Sequence, residues 1–148
     1  MKLMLTLVSA IVLMAASCND TVNATLEPLS ATNVAGSYKL VEPSSKYSVT
    51  LILTPDSASV EVTGRIAYRV TGRSAVNQYF GSLTGSAASN EIQISALGST
   101  KMAGPEDAMQ FETDYFNKLQ AAKRYEITGN RLRLLTDSNN ALVYEKEK

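Results

Sequence analysis

From Gly36 onward the chain is a succession of short segments in which apolar and polar residues alternate. Tyr38 and Leu40 flank Lys39. Tyr47, Val49, Leu51 and Leu53 alternate with Ser48, Thr50, Ile52 and Thr54 before Pro55-Asp56 turns the chain. Ala58, Val60 and Val62 alternate with Ser59, Glu61 and Thr63. Ile66, Tyr68 and Val70 alternate with Arg65, Ala67 and Arg69, and Ile92, Ile94 and Ala96 with Gln93 and Ser95. Tyr125 and Ile127 lead into Gly129-Asn130, a two-residue hairpin turn. Leu132 and Leu134 follow, then a turn from Asp137 to Asn140, then Leu142 and Tyr144. A period of two between turn residues predicts half-buried antiparallel strands.

One segment departs from that period. Gly104-Pro105-Glu106-Asp107 is a helix start: a permissive cap, proline at the first position, then two acids facing the positive helix end. At about 100° per residue, a helix over about 105–122 places Ala108, Phe111, Tyr115, Phe116, Leu119 and Ala122 on one face. Gln110, Thr113, Asp114, Asn117 and Ala121 take the other. The predicted fold is therefore α+β, a curved antiparallel sheet of about seven or eight strands with one helix packed across it. Glu112 falls within the apolar face, where a lone carboxylate costs several kcal/mol unless it is paired or hydrogen-bonded. Either it has a fixed partner, with Arg73, Lys101, Thr100 or backbone N–H groups of the preceding loop as candidates, or the helix rotates and Glu112 reaches solvent at the edge.

The first residues have a different pattern. Met1-Lys2 gives a positive start, and Leu3 to Ala16 is apolar apart from Thr6 and Ser9. That run is short for a membrane span but suits the core of a signal peptide. It ends in Ala15-Ala16-Ser17-Cys18, which resembles a bacterial lipobox. The expected organisation is a lipoprotein signal peptide over 1–17, a lipid on Cys18, a flexible tether over 18–35 and a domain over 36–148. Asn19 after the cysteine favours the outer membrane. The alternative is ordinary cleavage near Ala16, leaving Cys18 as a free thiol. The tether, rich in Thr, Asn, Ala and Ser, would lift the domain off the membrane.

Composition removes several classes of chemistry. The 148 residues contain no histidine and one cysteine, which excludes Ser-His and Cys-His nucleophile pairs, most zinc sites and an intrachain disulfide. Lysines and arginines number 14, as do the acids. Since Lys2 precedes Cys18 and every acid follows it, the mature chain carries a net charge of −1. Nucleic acid is not an expected partner, because phosphate binding needs a basic excess. Glu106 and Asp107 are accounted for as helix-start acids and Asp114 lies on the polar helix face. No carboxylate pair suggests glycoside cleavage, and no enzyme, cofactor or metal is expected.

Three stretches resemble the META domain family of HslJ-like bacterial envelope proteins. Asn77-Gln78-Tyr79-Phe80-Gly81 is similar to its Asn-x-Tyr-x-Gly run. Leu97-Gly98-Ser99-Thr100-Lys101-Met102-Ala103 is similar to its Leu-x-x-Thr-x-Met-Ala run, and Glu112 with Tyr115 and Leu119 to its helix pattern. The pairing of Arg131 to Leu135 with Ala141 to Tyr144 completes the likeness. Family members often have cysteine where this chain has Val76 and Gly104, so the resemblance carries over no thiol role. It implies an envelope protein linked to stress or drug tolerance, without a shared catalytic activity.

Two groups of residues are candidate sites. Asn77, Thr100 and Glu112, with Tyr79, Gly81 and Met102 as further motif positions, form either a polar binding spot or a buried knot that seats the helix. Arg65, Arg69 and Arg73 share one strand face, where they either meet anionic groups or guard a solvated sheet surface; Arg131 and Arg133 form a similar stripe. The expected function is a monomeric, lipid-anchored interaction module with a possible envelope protein partner. The alternative is a binding module for a small or amphipathic ligand held between sheet and helix.

Overall fold

The structure, a computed structural model, describes residues 34–56, 65–86, 89–138 and 140–148. The predicted signal peptide, Cys18, nearly all of the tether and the alternating segment Ala58 to Val62 lie outside those residues. Val34, at the end of the expected tether, is 2% exposed and belongs to the core. Its carbonyl accepts a hydrogen bond from the Tyr38 hydroxyl at 2.9 Å. The folded part therefore begins no later than Val34.

Eight strands form one antiparallel sheet: β1 (Gly36–Glu42), β2 (Thr50–Pro55), β3 (Arg65–Arg73), β4 (Gln78–Ser86), β5 (Ile92–Ser99), β6 (Ala122–Thr128), β7 (Arg131–Thr136) and β8 (Ala141–Lys146). Their order is β5-β4-β3-β2-β1-β8-β7-β6. One helix, α1 (Glu106–Gln120), connects the two edge strands. The sheet curls until those edges meet at one end, where Glu91 bridges Arg124 and the Tyr125 N–H donates to the Asn90 carbonyl at 3.0 Å. The result is a half-barrel with α1 packed against it, the expected α+β fold.

Alternation explains the core. The inward positions hold Tyr38, Leu40, Leu51, Leu53, Tyr68, Val70, Tyr79, Leu83, Ile92, Ile94, Tyr125, Leu132, Leu134, Leu142 and Tyr144, all buried. Ala108, Tyr115 and Leu119 of α1 close over them. Each fully buried large side chain contributes about 1.5–3 kcal/mol relative to exposure. With no tryptophan in the chain, tyrosine supplies most of the aromatic bulk: six of seven tyrosines are buried. Their hydroxyls must then be satisfied internally, and no buried side-chain polar atom among the described residues lacks a partner.

Strand β4 is not marked by the alternation in the sequence, because its middle inward position is Gly81. A bulge shifts the β4–β5 register between Phe80 and Ser82, and a Cβ at Gly81 would lie 3.1 Å from the Ser95 carbonyl oxygen. Close backbone approach has replaced a side chain there. The hairpin at Gly129-Asn130 forms as expected, pairing Thr128 with Arg131. Gly129 has φ 61°, the positive value that a II′ turn requires at its first central residue.

The helix is shorter than the expected 105–122. Pro105, with ψ 146°, is the cap rather than the first helical residue, and its carbonyl accepts the first helical bond from Met109 at 3.0 Å. Gly104 therefore does not cap α1. Instead it lies against Val76, and a Cβ built on Gly104 would come within 2.6 Å of Val76 Cγ2. At the other end Ala121 closes the helix, and Ala122 starts β6 instead of extending the helix face.

The Gly104–Val76 contact makes a prediction. Gly104→Ala should destabilise the domain by about 1–3 kcal/mol through overpacking, read as a lower urea midpoint with unchanged m. The same substitution should cost less in a Val76→Ala background. Strictly additive costs would contradict the contact.

Candidate functional site

The turn between β3 and β4, residues Ser74 to Asn77, faces the middle of α1. Ser74, Asn77 and Glu112 are all buried there. Glu112 Oε2 accepts hydrogen bonds from the Ser74 hydroxyl, from the Val76 N–H at 3.1 Å and from the Asn77 N–H at 2.8 Å. Oε1 accepts from Asn77 Nδ2 at 2.7 Å. Burial pushes the Glu112 carboxyl up, but these four donors outweigh it and hold the group below the usual glutamate range. The carboxylate is thus buried as an anion bound by neutral donors, with no ion pair to any described residue.

Asn77 extends the knot to the loop before the helix. Its Oδ1 accepts from the Thr100 hydroxyl at 2.8 Å and from the Met102 N–H at 2.7 Å. Thr100 Oγ1 accepts from the Gln78 N–H at 3.2 Å, and its own N–H donates to the Gln78 carbonyl at 3.0 Å. Asn77, Thr100 and Glu112 therefore do converge. Of the partners considered for Glu112, backbone N–H groups are the right class, but they come from the β3–β4 turn. Arg73 and Lys101 are not its partners, and Thr100 reaches it only through Asn77. Met102 contributes its backbone; its side chain is exposed, and nothing in the structure explains why it is methionine.

A second network crosses the core. The Tyr79 hydroxyl donates to the Thr50 carbonyl at 2.7 Å. It lies 2.7 Å from the Tyr115 hydroxyl, which lies 3.1 Å from that of Tyr144. Each hydroxyl has one proton, so Tyr79 must accept from Tyr115, and Tyr115 from Tyr144. Burial holds all three well above the ordinary tyrosine value. They are neutral hydrogen-bonding groups and do not act as bases near neutral pH. Gly72 leaves the necessary space, since a Cβ there would meet the Thr50 oxygen at 2.1 Å and the Tyr79 hydroxyl at 2.7 Å.

At the start of α1, Asp107 accepts from Lys46 Nζ at 2.6 Å and from the Tyr47 hydroxyl at 2.7 Å. The Lys46 bond, then the Tyr47 bond, lowers its carboxyl to about 2. Asp107 thus ties the helix to the β1–β2 loop as well as facing the helix end. Among the described residues no group of His, Cys, Asp and Glu could hold a metal ion.

The outer face of the sheet carries the arginines. Arg65, Arg69 and Arg73 are exposed along β3 and share its outward face. Thr71 lies between the last two and pairs with Ile52 on one side and Phe80 on the other. Ile52 and Phe80 are exposed by 38% and 57%, and a depression of about 430 Å³ lies between them, with Arg73 and Gln78 at one end. Arg131 and Arg133 differ, because they pair with Glu145 and Glu126. Sequence reading placed the arginines but not this apolar pair, which only the strand register brings together.

Replacing Glu112 with Gln should cost about 1.5–3 kcal/mol, the scale of hydrogen bonds to a charged group. The carboxyl is held low in the folded state, so its contribution is present above the ordinary glutamate pKa of about 4.3 and is lost as pH falls below it. Urea midpoints measured from pH 7 to pH 3 should therefore fall less steeply below pH 4 in Glu112→Gln. Parallel curves would contradict the buried anion.

No curated protein matches the chain. The solution structure, determined by NMR, of a protein from Burkholderia xenovorans is similar in fold, with a TM-score of 0.56 and 20% identity, over 76% of this chain and 82% of that one. The META domain family matches residues 30–148. With that span covering the sheet, the helix and the Asn77–Thr100–Glu112 knot, the chain belongs to the META domain family.

Proposed function

We propose that this META domain is a non-enzymatic interaction module of the bacterial cell envelope, anchored through a lipid on Cys18. In this reading it engages another envelope protein through the outer face of β2, β3 and β4, in support of stress or drug tolerance. The observation that carries the proposal is the exposed pair Ile52 and Phe80 on that face. Contiguous exposed apolar surface is where partners dock, and these two side chains border one depression.

The inner face supports the same reading. Tyr79, Tyr115, Tyr144 and Leu119 fill the space between sheet and helix, each 2% exposed or less, which counts against a ligand held there. A cleft of about 230 Å³ remains at the rim, beside Pro43, Phe111, Tyr115 and Leu142. That cleft, whose lining also includes Asp114 and Lys118, favours a small amphipathic ligand. Enzymatic activity has no support in the shifted groups, since Glu112, Asp107 and the buried tyrosines are each held by structural contacts.

Two measurements test the proposal. Cys18→Ser should release the protein from the membrane fraction and abolish labelling by a radioactive fatty acid. A photoreactive residue at Gln78 in living cells should capture one protein repeatedly, and one at Lys118 on the helix should not. Ile52→Thr and Phe80→Ser should each remove the Gln78 adduct while circular dichroism stays unchanged. Adducts of equal yield from Lys118, or adducts to lipid alone, would overturn the interaction reading.

A further inference from the structure

The outer-face depression has a charge pattern that the rest of the sheet lacks. No aspartate or glutamate occurs in β2, β3 or β4. Arg69 and Arg73 form no ion pair with any described residue, whereas Arg131 and Arg133 are both neutralised by acids on neighbouring strands. Two exposed guanidinium groups that form no ion pair with a described residue thus lie along the outward face of β3, Arg73 in the lining of the depression and Arg69 one outward position beyond Thr71.

Spacing narrows what could lie there. Arg69, Thr71 and Arg73 follow one another at every second residue of β3. At a rise of about 3.3 Å per residue, the first and last Cα atoms are about 13 Å apart. A second extended chain has the same repeat, so side chains at every second position of such a chain match these three sites one for one. Carboxylates at the two ends would meet Arg69 and Arg73, which bind carboxylate with two parallel N–H donors. An apolar side chain at the centre would sit over Thr71 between Ile52 and Phe80.

We propose that this face binds an extended acidic segment of the partner protein, with the pattern acid-x-apolar-x-acid laid along β3. The inference rests on the interaction reading above and specifies the chemistry of its partner. A depression walled by Ile52 and Phe80, with Arg73 in its lining and Arg69 further along the same strand face, suits one inserted side chain with flanking carboxylates. A flat anionic surface would leave the depression unfilled.

The test uses ¹⁵N-labelled protein expressed from the full-length chain carrying Cys18→Ser. Three probes are titrated: acetyl-Gly-Asp-Gly-Phe-Gly-Asp-Gly-amide, the same peptide with both Asp replaced by Lys, and vesicles containing phosphatidylglycerol. The acidic peptide should shift the Thr71 and Phe80 amide signals saturably. Its affinity should fall at least tenfold in Arg69→Glu/Arg73→Glu, a variant that should in turn bind the lysine peptide. Equal shifts from both peptides, or none from the acidic one, would overturn the proposal. Vesicle binding that the double substitution abolishes, without any effect of the peptides, would assign the face to a membrane instead. A partner captured at Gln78 in cells but indifferent to the double substitution would leave the interaction reading standing and sink this inference alone.

Discussion

The carboxylate of Glu112 is the point on which the helix, the β3–β4 turn and the loop before the helix all depend. Its two oxygens receive four hydrogen bonds from Ser74, Val76 and Asn77. Without that anion, two backbone N–H groups of a tight turn would be left facing the interior, at about 1–3 kcal/mol each. Without the turn, a buried carboxylate would have no counterpart at all. The two problems solve each other, and the position of α1 along the sheet follows. Asn77 passes the constraint on to Thr100 and Met102, so the chain between β5 and α1 is held by the same residue that helps bind Glu112.

The tyrosine network applies the same logic to the centre of the half-barrel. A core this rich in tyrosine would be costly if its hydroxyls were orphaned. The single direction Tyr144 to Tyr115 to Tyr79 to the Thr50 carbonyl leaves none of them so. Tyr115 lies on the helix and the other two on strands four positions apart in the sheet. The hydroxyl chain therefore joins both halves of the sheet through α1. With the inner face filled in this way, the outer face is where recognition can be placed. Ile52, and Arg69 and Arg73, which form no ion pair with a described residue, are features there to which no contact within the described fold assigns a role. Phe80 is partly accounted for by Gly98, which its ring covers.

Much of the fold was legible in the sequence because alternation and helical period are local properties. The strands around Leu51, Tyr68, Ile94, Leu132 and Leu142, the hairpin at Gly129 and the helix after Pro105 all follow from neighbours on the chain. What escaped depends on distant segments. β4 hides behind Gly81, whose place is set by the Ser95 backbone. Gly104 resembles a helix cap in the sequence, yet its absent side chain makes room for Val76 and the cap is Pro105. A partner for Glu112 was required by burial cost alone, but its identity could not be read, since Ser74 and Asn77 lie more than thirty residues away. Ile52 and Phe80 are ordinary strand residues until the register through Thr71 makes them neighbours.

The central claim is that the Glu112 knot is part of the cooperative core and not a surface latch. Native-state hydrogen exchange of the Val76 and Asn77 amides tests it most directly. If the claim holds, both amides exchange only through global unfolding, with the same opening free energy and denaturant dependence as the Leu132 and Tyr144 amides. Exchange of Val76 and Asn77 through a small local opening, while Leu132 and Tyr144 stay protected, would contradict it.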